Sequence, residues 1–314
     1  MGMLRDLGLK LDTWHGRTAM ARFKNGWPAH ASPDVGFYRT PLTQYRYRVV
    51  GSGPTLVFAA DPPMSLENYD GLIEAFSPYF RVIVFELPAM GFSAVSSDYR
   101  FDFYQTNDDV ARFLADVAGE GAILAFSCVA GLCAVDLACR RPELVSRLAL
   151  IQTTDVAGFA VWKARRDPQG ILAKPIIGQL AMKQMAPKRM PDWYRLSVGR
   201  KEMIDALVAC ACRSFEHGAM WSLASAYQVY MDPNIRLGRP KQPALAFWGQ
   251  ADRSHPAEHV DSPKRLADHV DMIVYPDLGH TPELEDPARL CADLRAWIAK
   301  SGQVFPPAPE APII

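Results

Sequence analysis

The sequence predicts an α/β fold: a mostly parallel central sheet with helices on both faces, plus an inserted helical cap. Three observations predict it. Between Tyr45 and Gln152, short runs rich in β-branched and aromatic residues alternate with stretches of helical period, the pattern of strands joined by crossover helices. After Asp155 the alternation stops, and residues 156–239 carry helical patterning with repeated Met and Trp and several Pro breaks. It resumes at Ala244 and runs to Lys300, so the helical segment interrupts one sheet rather than separating two.

The expected organisation is an N-terminal arm (1–40), a core in two pieces (41–155 and 240–302), a cap (156–239) and a Pro-rich tail (303–314). The arm has no clear period and reads as a segment packed on the core or on a partner subunit. Tyr45–Val50 alternates, and Gly51-Ser52-Gly53-Pro54 turns the chain into the apolar run Thr55–Ala60, which reads as a hairpin feeding a buried strand. Leu66–Phe76 has helical spacing, and Phe80–Glu86 reads as a buried strand. A helix over Thr106–Val117, a strand at Ala122–Phe126, a helix at Ala130–Arg140 and a strand at Arg147–Gln152 follow. Beyond the cap come a strand (Ala244–Gly249), a helix (Ala257–His269), a strand (Met272–Tyr275) and a closing amphipathic helix (Pro287–Lys300).

Composition narrows the function classes. The chain has 314 residues, 49% hydrophobic and 22% charged, the range of a folded globular protein with a sizeable core. Lys+Arg and Asp+Glu are both 34, so no global basic field favours nucleic acid. No segment reaches the roughly 20 apolar residues that span a bilayer, and Met1–Arg17 has charges scattered where a leader would be apolar. Gly2 is not a myristoylation signal, because Asp6 stands where Ser or Thr is required. The six cysteines form no CxxC pair, which reads as reduced thiols in a cytoplasmic protein, with neither metal nor cofactor expected.

Three short segments carry the chemistry. Ala125-Phe126-Ser127-Cys128-Val129-Ala130-Gly131 follows a strand and opens a helix; Gly249-Gln250-Ala251-Asp252 follows the next-to-last strand, and Gly279-His280-Thr281-Pro282 the last. Together they resemble the nucleophile elbow, acid loop and histidine loop of the α/β-hydrolase superfamily, over roughly Tyr45 to Lys300. The resemblance implies a nucleophile–His–acid triad with His280 as base and Asp252 as its orienting acid. Asp155 is the reserve acid. His255 and His259 have the spacing of a solvated helical face, and Cys133 and Cys139 read as helix packing.

The family's elbow is small-x-nucleophile-x-small, because side chains two positions away collide in the tight turn. With Ser127 as nucleophile, Val129 breaks that rule; with Cys128, Phe126 does. Arg141-Pro142-Glu143 fits the family's helix-end spacing better when counted from Cys128. Cys128 is therefore favoured and Ser127 is the alternative. A thiolate at Cys128 would attack an acyl carbon, with the imidazole moving the proton.

The oxyanion region departs from the family. Where its hydrolases carry His-Gly-x-Pro, this chain has Ala60-Asp61-Pro62-Pro63, so Pro62, which lacks an N–H, falls at the donating position. Losing one oxyanion donor costs about a hundredfold to a thousandfold in rate. Ala60, Asp61, Pro62 and Val129 are the expected oxyanion and pocket residues, with Asp61 open as a catalytic acid or base or as an Asx-type turn. Glu86–Ser93 resembles a structural strand-end loop.

From Val161 to Asp205 the cap carries ten Lys or Arg against four acids, a basic face for coenzyme A phosphates or an acidic acyl carrier protein, or a merely solvated surface. Trp162, Met182, Met185, Met190, Trp193, Met203, Met220 and Trp221 could line an adaptable acyl pocket or form the cap core. The expected function is acyl transfer, as acyltransferase or thioesterase, on a small-molecule or carrier-bound ester or thioester. A carboxylic-ester hydrolase or lactonase is the alternative; a non-catalytic binder or a lyase or cyclase of the fold is a further one. The sequence leaves the oligomeric state open.

Overall fold

In a computed structural model describing residues 2–24, 34–302 and 305, eight strands build the central sheet. They are β1 (Val35–Arg39), β2 (Thr43–Val50), β3 (Thr55–Ala60), β4 (Arg81–Glu86), β5 (Ala122–Ser127), β6 (Val145–Ile151), β7 (Ala244–Gly249) and β8 (Val270–Tyr275). Their order across the sheet is β1-β2-β4-β3-β5-β6-β7-β8, with Ala94–Val95 added beside β2. From β4 onward neighbours run parallel. The first two pairings, β1 with β2 and β2 with β4, are antiparallel.

Alternate strand residues feed the two faces. Val57, Leu124 and Phe126 pack on one face against Val110 and Phe113 of helix α3 (Phe103–Phe113) and Leu132 and Val135 of α4 (Ala130–Arg140). Leu56, Phe58 and Ile123 pack on the other against Leu72 and Phe76 of α2 (Asp70–Phe76) and Leu294 and Ile298 of the last long helix, Pro287–Ala299. Burial on both faces is why these strands are near-continuous apolar runs. The segment between β6 and β7 is helical, with α5 (Val156–Arg166), α6 (Ile177–Ser197) and α7 (Ile204–Glu216). A short strand from it, Met220–Trp221, pairs with Met90–Gly91 of the core.

Two expectations are corrected. β2 and β3 form no hairpin: β4 lies between them, because β3 enters the parallel set and β2 pairs backwards with β1 and β4. Residues 257–269 form no α-helix; the 3₁₀ turns Ala257–Arg265 replace it, since Pro263 lacks the N–H an α-helix would need there. The arm without a clear period contains a helix, α1 (Gly2–Lys24), which contacts Ala94–Val95, α6 and Leu223–Ser225, together with β1. Its polar anchor is Asp12, hydrogen-bonded by Ser225 Oγ and pushed up to about 6 by burial. The tail, Phe305 apart, lies outside the described residues. Among the described residues no helix is long and apolar enough to cross a membrane.

Candidate active site

At the end of β5 the backbone turns through Cys128, whose φ of 54° is left-handed, a strained state that persists only where its surroundings hold it. Cys128 N–H donates to Ile151 O at 2.8 Å, and Gly131 N–H closes the turn on Cys128 O at 3.1 Å. A Cβ on Gly131 would lie 2.1 Å from Thr153 Oγ1, so only glycine lets α4 start this close to the end of β6. Phe126, the bulky residue that strains the small-residue rule, faces the core and packs on Phe85.

The turn separates the two nucleophile candidates. Ser127 Oγ donates to Glu283 Oε1 at 2.7 Å in the interior, whereas Cys128 lines a cavity of about 630 Å³ together with His280, Asp61, Pro62 and Val129. Cys128 Sγ, a His280 ring nitrogen and an Asp61 oxygen lie within 4.8 Å of one another. Burial pushes the Cys128 thiol up, as does the Asp61 carboxylate, while His280 pulls it down.

His280 is held on both nitrogens. Nδ1 donates to Asp252 Oδ2 at 2.8 Å, and Nε2 lies 3.2 Å from Asp61 Oδ2. Burial opposes charging of this ring, but Asp252, Cys128 and the hydrogen bonds outweigh it and hold His280 well above the ordinary imidazole range. Asp252 Oδ2 also accepts from His255 Nδ1 at 2.8 Å and Gln152 Nε2 at 3.0 Å, and Oδ1 accepts from Ser254 N–H at 2.7 Å. Burial raises Asp252, yet the two imidazoles overcome it and keep the carboxyl well below its usual range.

Glycines let the loops meet. A Cβ on Gly249 would lie 1.9 Å from Gly279 O, and one on Gly279 would lie 2.1 Å from Ser197 O at the end of α6. His280 N–H donates to that same Ser197 O at 2.8 Å. The histidine loop is thus fastened to the cap.

Several sequence expectations change here. His255 is buried, bonded to Asp252 and stacked on His280 and Trp162; burial lowers its pKa, so it buttresses the acid as a neutral ring. His259 is also buried rather than solvated. Asp155 caps α5, accepting from Gly158 N–H at 2.8 Å, and takes no part in the cluster. Asp61 forms no Asx turn: its backbone carbonyl, not its side chain, accepts from Met64 N–H, and its own N–H donates to Tyr69 Oη at 3.0 Å.

Pro62 has no N–H to give, and the Asp61 carboxylate lies beside His280 and Cys128. Of the cap residues singled out, Trp162, Met182, Met185, Trp193 and Trp221 line the cavity, whereas Met190 is core. Cys133 borders the cavity as well as packing inside. Sequence reasoning missed Gln152 and Glu283. Glu283, three residues after His280, is a carboxyl that burial pushes up to about 7, and its Oε2 has no hydrogen-bond partner among the described residues. His255 lies three residues past Asp252 in the same loop, and that nearness was the legible signal for it.

A parallel sheet that gathers a turn-borne thiol, an imidazole and a carboxylate at its strand ends, under helical segments, defines an α/β-hydrolase-fold enzyme. Residues 54–287 match the family described as alpha/beta hydrolase fold, and the chain belongs to that family. It is 26% identical over 256 residues to a pimeloyl-[acyl-carrier protein] methyl ester esterase of Nitrosomonas europaea, covering 78% of this chain and 96% of that protein. A protein of the same name from Vibrio campbellii is 31% identical over 270 residues, covering 82% and 99%. Among solved structures, a thermophilic esterase of Thermogutta terrifontis superposes with a TM-score of 0.65 at 19% identity, covering 86% of this chain and 98% of that one.

Proposed function

We propose that the protein hydrolyses an ester or thioester of an apolar acyl group, through an S-acyl intermediate on Cys128. The observation that carries this is His280, hydrogen-bonded to Asp252 on one nitrogen and facing Cys128 in the cavity on its other side. The thiol proton passes to His280, the sulfur attacks the acyl carbon, and the imidazolium returns the proton to the departing alkoxide or thiolate. Water then cleaves the thioester, giving the acid and restoring the thiol. Asp252 orients the ring and balances its charge.

Hydrolysis is preferred over transfer to another acceptor, the first expectation, because the relatives carry the name of an ester hydrolase. The substrate in their name is bound to acyl carrier protein, and the excess of Lys and Arg in 161–205 suits an acidic carrier here too. The apolar cavity suits the acyl chain.

The test is intact-mass measurement during turnover of p-nitrophenyl esters and acyl thioesters. An acyl adduct that is lost in Cys128→Ala, and free acid as the product, are expected. An adduct at Ser127, or turnover that survives Cys128→Ala, refutes the proposal.

A further inference from the structure

The mechanism above leaves one buried, cavity-facing carboxylate without a task. Asp61 is 4% exposed and approaches the reacting imidazole from the side opposite Asp252. Its position is fixed from behind: its N–H is held by Tyr69 Oη, and the next two residues are prolines. It lines the same cavity wall as Cys128 and lies within 4.8 Å of the sulfur. An Asp here is a poor oxyanion donor and repels a thiolate, so its presence opposes the first half of the reaction.

Its chemistry fits the second half. Once Cys128 is acylated, the thiolate charge that Asp61 opposes is gone, and a water must be deprotonated beside the thioester. Asp61 Oδ2 lies 3.2 Å from His280 Nε2, on the side of the ring away from Asp252, and so puts a second proton acceptor on the cavity wall beside the sulfur. We propose that Asp61 is the general base of deacylation, a step that rests on the S-acyl reading above. Asp61 takes a proton from water as the water oxygen bonds to the acyl carbon; the C–S bond then breaks, and the thiolate leaves on Cys128. The proton moves from Asp61 to His280 Nε2, 3.2 Å away, and on to the thiolate. The acid is released and the thiol, imidazole and carboxylate are restored. Asp61 thereby occupies the family's oxyanion-donor segment with a base.

The experiment follows both half-reactions of Asp61→Asn with a p-nitrophenyl ester. Nitrophenol release in a single turnover reports acylation, and intact mass reports the adduct. Acylation should run at least as fast as in wild type while deacylation slows by about a hundredfold or more, so that S-acyl-Cys128 accumulates after a burst. Asp61→Glu should recover part of the deacylation rate, and added formate should do so in Asp61→Ala. The inference is overturned if Asp61→Asn turns over without accumulating adduct, or if both half-reactions slow equally. If Asp61→Asn does not fold, Asp61→Ser with and without formate decides in the same way. Absence of any Cys128 adduct in wild type and variant alike instead removes the S-acyl reading itself.

Discussion

Ser127 and Cys128 are adjacent, yet the left-handed turn sends one into the interior and the other into the cavity. Ser127→Ala should therefore keep the Cys128 adduct while lowering stability by about 1–3 kcal/mol, the cost of leaving the Glu283 carboxyl unsatisfied; thermal denaturation reads this. Glu283 carries a pH signature. Its folded-state pKa of about 7 lies above the ordinary carboxyl value of 4.5, so the folded chain binds this proton more tightly than the unfolded one. Its contribution is fully present below about pH 4.5 and is lost as pH rises through 7. Glu283→Gln should flatten that part of the Tm-against-pH curve, and an unchanged slope would show that the carboxyl does not titrate there. In the proposed mechanism Asp252 orients the His280 ring, so Asp252→Asn should lower kcat by roughly a thousandfold or more with little change in fold, measured by ester turnover and circular dichroism.

At the level of elements, the elbow and the two loops work because glycine removes obstacles. Gly131 lets α4 begin against Thr153, and Gly249 and Gly279 let the acid and histidine loops cross. Gly249→Ala should force those loops apart, costing about 1–3 kcal/mol from overpacking and lengthening the Asp252–His280 contact. Loss of activity larger than the loss of folded protein is the expected readout. The 3₁₀ turns at Ala257–Arg265 matter too, because they carry His259 inward and follow directly on His255. An α-helix there, as the spacing alone suggests, was blocked by Pro263.

On the scale of the whole molecule, a buried carboxylate helps join cap and core. Glu285 accepts from Gly279 N–H at 3.0 Å in the histidine loop and from Gly199 and Arg200 N–H at 2.8 and 2.9 Å just past α6. Its carboxylate thus holds the loop bearing His280 to the cap wall that lines the cavity. Glu285→Ala should lower Tm and reduce kcat by about tenfold or more through misplacement of the imidazole, and Glu285→Gln, which keeps an acceptor, should lose less. Equal effects of the two variants would argue against the clamp.

The alternation of strands and helices, the interruption after Asp155 and the three loop motifs were legible in sequence, because burial on both sheet faces and tight turns restrict residue types locally. The pairing of Cys128 with His280 and Asp252 follows from motifs lying at the ends of strands in one sheet. What the chain alone could not decide was direction and neighbourhood: which of Ser127 and Cys128 faces the cavity, that His255 is buried against Asp252, that Asp61 reaches His280, and that β4 separates β2 from β3. These depend on contacts between residues up to 219 positions apart, and local pattern carries no record of which distant group a side chain will meet. Sequence periodicity determines which face of an element is buried; only the packed sheet and cap determine what it is buried against.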